Sequence, residues 1–196
     1  MKSDIITLKQ FPGDIAGALE ETERAAAYNR LKPQSINTLR LLAEEQIAIT
    51  AEVLKTFSGQ FWLENDGPDY ELHLLALAPI GLEELDTFVD LSTAKNNTYP
   101  KGMKGRISAV IDAFLIAQGE SAALGMGISD MMGGFIPSPD SMIWSMRRYQ
   151  QDAPEQAKDE ELEGIEKSII DRYADDVVVT VRSNKVELVV KKTVKE

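Results

Sequence analysis

A chain of 196 residues with 32 Asp and Glu against 21 Lys and Arg carries a net charge of −11. Its isoelectric point lies near 4.7, which argues against nonspecific nucleic-acid binding, a mode carried by clustered Lys and Arg. A composition of 43% hydrophobic and 27% charged residues places it among chains that bury a core and excludes wholesale disorder. Without cysteine there is no disulfide, thiolate nucleophile or cysteine-ligated metal, and a single histidine, His73, removes multi-histidine centres. Carboxylate-bound magnesium or calcium is the metal chemistry left open.

Met1 to Gln10 alternate polar and apolar residues instead of pairing a basic start with an apolar run, so no secretory leader is expected. No apolar stretch approaches the roughly 20 residues that span a bilayer, and cytoplasmic residence is the expectation. Ile5, Ile6, Leu8 and Phe11 predict a short strand stopped by Pro12-Gly13. Asp14 would cap a first helix with Ile15, Ala18, Leu19, Thr22, Ala25 and Ala26 on one side and Glu20, Glu21, Glu23 and Arg24 largely on the other, ended by Pro33. Ser35 would cap a second helix, whose long stripe runs through Ile36, Leu39, Leu42, Ala43, Ile47, Thr50, Ala51 and Leu54.

The period then changes. Phe61 and Leu63, then Tyr70, Leu72 and Leu74, alternate on either side of Asn65-Asp66-Gly67-Pro68-Asp69, which spells an antiparallel hairpin. His73 falls on the face opposite Leu72 and Leu74, with no titratable partner placed by spacing, and reads as a strand histidine rather than a catalytic one. A short helix is expected from Gly81 toward Leu91, then a loop from Ser92 to Lys101. Gly102-Met103-Lys104-Gly105 leads into the helical run Ile107, Val110, Ile111, Phe114 and Leu115. A glycine-bearing loop at a helix start can receive an anion, because backbone N–H groups converge there.

Gly119 to Met146 hold five glycines and five of the seven methionines. Flexible, polarizable methionines suit either irregular packing or a docking surface, so the segment reads as a loop with a short helix folded on the core, or as a partner site built from Met126, Met131, Met132, Phe135 and Trp144. A charged amphipathic helix is expected from Asp152 to Tyr173. Val177, Val179, Val181 and Val186, Leu188, Val190 alternate around Ser183-Asn184-Lys185 as a final hairpin.

A strand, two helices, a hairpin, a loop, a glycine-flanked helix and a closing hairpin together resemble the ATP-binding sandwich of the GHKL family, which includes histidine kinases, gyrase and the anti-sigma-factor serine kinases. The resemblance implies an α/β two-layer sandwich, its mixed, mostly antiparallel sheet covered on one face by helices. It makes residues 1–196 a single domain, with a core at 5–115 and 175–194 and a Met/Gly-rich helical insertion at 116–174. It also implies ATP with magnesium, held near Glu45, Gly81, Gly102 and Gly105.

The chain departs from that pattern where the chemistry would occur. The family pairs a helical glutamate with a magnesium-binding asparagine four positions on, but Glu44 and Glu45 are followed there by Ala48 and Ile49, which offer no oxygen to a cation. Leu77-Ala78-Pro79-Ile80-Gly81 lacks the aspartate that would read adenine. As residues of an amphipathic helix, Glu44 and Glu45 are expected on its solvated rim. The expectation is therefore a regulatory or interaction module on a degenerate scaffold, with no catalytic residue, no cofactor and no metal, and with a protein partner or second copy of the chain. The other reading is an ATP-binding phosphotransferase in which Asp86, Asp90, Asn96 or Asn97 substitute for the absent ligands. Hydrolase chemistry has no nucleophile elbow to rest on.

Overall fold

The computed structural model describes residues 1–9, 15–54, 57–77, 107, 110, 111, 135–138, 141–152, 169–182 and 185–194. Strand β1 (Ile6–Leu8) leads to helices α1 (Ile15–Tyr28) and α2 (Pro33–Leu54), then to the hairpin β2 (Ser58–Asp66) and β3 (Asp69–Leu77). A second hairpin, β4 (Phe135–Ser138) and β5 (Ser141–Ser145), is followed by helices α3 (Met146–Asp152) and α4 (Ile169–Tyr173). The closing hairpin is β6 (Asp176–Arg182) and β7 (Lys185–Thr193).

Seven strands form one sheet in the order β1-β2-β3-β7-β6-β5-β4. Every pairing described is antiparallel, so the mixed character expected of the sheet has no parallel pair behind it among the described residues. Register places the apolar half of each alternation in line. Leu63 lies opposite Leu72, Leu72 opposite Val190 and Val190 opposite Val177, while Phe61, Leu74, Leu188, Val179 and Trp144 form the next row. All of these are buried and share one core with Ala18, Leu19, Ala26, Leu39, Leu42, Ala43 and Ile47 of the two long helices. Ile107, Val110 and Ile111 are helical and join that core.

The β2–β3 turn follows from Gly67-Pro68. Gly67 takes φ 56° and proline is fixed near roughly −65°, so of the two primed hairpin turns only type II′ fits.

The α1–α2 junction corrects two expectations. Helix α1 closes at Tyr28 through Arg30, which sits at φ 58°. The Leu31 N–H donates to the Ala26 carbonyl at 3.2 Å and the Arg30 N–H to the Ala27 carbonyl at 2.9 Å, a Schellman closure. Pro33 does not end α1 but opens α2, and Lys32 rather than Ser35 occupies the cap, its carbonyl accepting from Ser35 and Ile36. Proline suits a first helical position because its missing N–H would have had no partner there.

Glu21 also departs from expectation. It is buried, at 6% exposure, because the N-terminal segment runs over it, the Asp4 N–H donating to one oxygen at 3.1 Å and Arg24 Nε to the other at 2.9 Å.

The largest revision concerns residues 116–174. Residues 135–138 and 141–145, expected as loop and short helix within a helical insertion, are strands that extend the main sheet past β6. Pro137 is tolerated because β4 is an edge strand. Of the helix expected from Asp152 to Tyr173, α4 is described, whereas 153–168 lie outside the described residues.

Candidate functional site

Helix α2 is where the sequence places nucleotide chemistry, and its two faces are clearly divided. Gln46 is fully buried and lies over the seam between β3 and β7. Its Nε2 donates to the Leu72 carbonyl at 3.0 Å and the Leu188 carbonyl at 2.7 Å, while its Oε1 is buried without a hydrogen-bond partner. The carboxamide thus pins the helix to two strands at once.

One residue back, Glu45 is half-buried rather than on a solvated rim; Glu44 is exposed as expected. The Glu45 carboxylate accepts from the Ile169 N–H at 3.1 Å and the Ile170 N–H at 2.5 Å. It therefore caps α4, whose first N–H groups have no partner within their own helix. Ala48 is half-buried and Ile49 buried, with no oxygen to offer. Among the described residues no group of three or more acidic or histidine side chains could hold a metal ion. Gly81, Gly102 and Gly105, together with Asp86, Asp90, Asn96 and Asn97, lie outside the described residues.

Comparison with protein-family models, curated proteins and solved structures finds no match to this chain. The site is therefore read from its own residues.

Of the residues expected to meet a partner, Met126, Met131 and Met132 lie outside the described residues. Phe135 opens β4 opposite Trp144. Trp144 is buried at 0% exposure in the core row with Val179 and Leu188, so in this fold it packs the sheet and presents no surface for docking. Met146 is buried as well.

A cleft that spacing did not reveal lies at the end of the sheet where β3 begins and β7 finishes. It encloses about 690 Å³, between Ser35 and Thr38 of α2, Arg147 of α3, and the segments Ala174-Asp175 and Lys192 to Val194. Asp175 organises one wall: it accepts from the Thr193 N–H at 2.5 Å and from Lys192 Nζ at 3.2 Å. Burial works to raise its carboxyl, but the Thr193 backbone donor and the Lys192 ammonium outweigh that and hold it below the usual carboxylate range. The lining brings together α2, α3, the segment before β6 and β7, residues distant in sequence, so no local motif could have revealed the cleft.

The sheet face opposite the core rows carries a second cluster. Trp62 stacks on His73 with ring centroids 4.8 Å apart and planes 6° from parallel, a consequence of their direct cross-strand pairing. Both histidine nitrogens are buried without formed hydrogen bonds, and carboxylates stand close by, Glu71 at 3.4 Å and Glu187 at 3.5 Å. The His73 contact holds the Glu187 carboxyl below its ordinary range against the effect of burial. Glu64 is likewise lowered, first by Lys2 and then by the Trp62 indole, whose N–H donates to it at 2.8 Å. The cluster's partners close on one another, so it reads as a structural tie across β2, β3 and β7.

Proposed function

We propose that the chain is a cytoplasmic regulatory or protein-interaction module that keeps a two-layer, histidine-kinase-like scaffold and has no catalysis of its own. One observation carries this reading: both oxygens of Glu45, which with Glu44 falls where the resemblance would place a general base, are taken by the first N–H groups of α4. A carboxylate fixed as a helix cap is poorly placed to accept a proton from water, because two charge-assisted hydrogen bonds favour its ionised, bonded state. The aliphatic pair Ala48 and Ile49 supports the same reading, since divalent magnesium requires oxygen ligands. With phosphoryl transfer thus unsupported, binding is the function left to the scaffold, and the methionine-rich segment around Met131 and Met132 is the proposed partner surface.

Titration calorimetry of the full chain with ATP and magnesium tests the first half, with no saturable heat expected. Micromolar binding accompanied by hydrolysis would establish the phosphotransferase reading instead. Affinity capture tests the second half: a stoichiometric partner, or a second copy of the chain, should be retained by the wild type and lost by a Met131→Glu/Met132→Glu variant that keeps its thermal transition.

A further inference from the structure

We propose that the sheet face opposite the core is a surface on which two copies of this chain pack face to face, with their strands running in opposite senses. This surface is separate from the methionine-rich one above, so either reading can fail alone. The sequence points there first. Strand β6 carries Val177-Val178-Val179 and β7 carries Leu188-Val189-Val190, unbroken apolar runs of the kind shown by strands covered on both faces. Val177, Val179, Leu188 and Val190 belong to the core under the helices, whereas Val178 and Val189 alternate to the other side. Register adds Leu75 and Ile143 to that side, in the neighbouring row. At its borders Gln60, Arg182 and Lys185 are exposed, and so is Leu77, a large apolar side chain at 40%. The face is therefore open.

Size and charge select the occupant. Strands β2, β3, β7 and β6, of seven to nine residues, offer a flat area on the order of 600 Å² at about 4.8 Å between strands and 3.4 Å per residue. Pleated accessible surface exceeds flat area, so covering this face approaches the roughly 800 Å² per partner of a standard interface. Charge is sorted along the strands. Five acids gather at one end, Glu64, Asp66, Asp69, Glu71 and Asp176. Lys2 pairs with Glu64 and Lys191 with Glu71, which leaves that end three charges negative. Arg182 and Lys185 stand opposite each other at the other end, with Leu77 and Ser58 completing their row. The two middle rows hold one acid, Glu187, set 3.5 Å from His73 Nδ1; even with Glu187 counted at the basic end, that end keeps a positive surplus. A two-fold axis lying between the sheets and across the strands reverses the partner, so each acidic end covers a basic end and the apolar rows meet. An axis along the strands would stack acid on acid. A partner of one uniform charge would match only one end.

Sedimentation equilibrium of the full chain measures the association, and a dimer is expected. Val178→Arg should weaken it by roughly a hundredfold, because it buries an unpaired charge in the apolar rows. Lys185→Glu, at the exposed border, should weaken it as well. Leu41→Arg, on the solvent side of α2, should leave it unchanged. The chain contains no cysteine, so single cysteines report the orientation. Thr180→Cys, beside the axis, should be joined to its own copy by a short bis-maleimide. Lys185→Cys should not, since about three rows of roughly 7 Å separate it from its counterpart along the strands. The proposal is overturned if the chain stays monomeric up to millimolar concentration, if the dimer survives Val178→Arg and Lys185→Glu, if Leu41→Arg disrupts it equally, or if Lys185→Cys is the variant that cross-links.

Discussion

Gln46 shows how much one side chain can fix. Its carboxamide gives both amide hydrogens to strand carbonyls at a site with no exposure, so replacing the donor by an acceptor should be far worse than removing it. Gln46→Glu puts a carboxylate against the Leu72 and Leu188 carbonyl oxygens. Its folded-state pKa would be raised above the unfolded value, so destabilisation is small in acid and grows as pH rises through the unfolded pKa toward the folded one. A loss of about 3–5 kcal/mol at neutral pH is expected, the scale of an uncompensated buried charge. Gln46→Met, which loses two hydrogen bonds but buries more apolar surface, should cost only about 1–2 kcal/mol. Urea unfolding at neutral and mildly acidic pH checks both the order and the pH trend.

At the scale of elements, the ends of helices decide more than their middles. Arg30 holds a left-handed conformation at φ 58°, which costs a side-chain-bearing residue roughly 1–2 kcal/mol relative to glycine. Arg30→Gly should therefore stabilise the protein by about 1 kcal/mol, seen as a higher urea midpoint with an unchanged slope. The α2–α4 contact gives the opposite sign. Glu45→Ala removes the acceptor for Ile169 and Ile170 and should cost about 1–2 kcal/mol, the usual range for a lost cap. Hydrogen exchange should quicken first at the α4 amides. The helical stripes of α1 and α2 and the alternation of β2, β3, β6 and β7 were legible because those periods are local. The start of α2 was misplaced because Pro33 can follow one helix or open the next, and the Arg30 turn carries no glycine to mark it.

Across the whole molecule, acid should loosen the sheet through several carboxylates together. Glu64, Glu187 and Asp175 are each held below their ordinary values of 4.5, 4.5 and 3.8. A depressed folded pKa stabilises above the unfolded value and loses that contribution as pH falls through the folded one. Stability should therefore begin to drop as pH falls below the ordinary carboxylate range and go on dropping as the bonded carboxylates protonate. Trp62, stacked on His73 and bonded to Glu64, makes intrinsic fluorescence a reporter of the change. Lys2→Met should shift the onset upward for Glu64, since its ammonium is the first cause of that lowering.

By itself the sequence determined the α/β class, both long helices, the β2–β3 and β6–β7 hairpins and the residues that these four strands give to the core rows, because side-chain alternation and turn chemistry act between near neighbours. Tertiary structure alone decided that β4 and β5 extend the same sheet, that Glu21 is buried beneath the N-terminal segment, and that Trp144 is a core residue. It also gave Glu45 its partners 124 and 125 residues away and closed a cleft from residues of α2, α3 and β7. Such pairings depend on which edges and surfaces meet once the chain has collapsed, and no periodicity within a segment encodes the partner it will find.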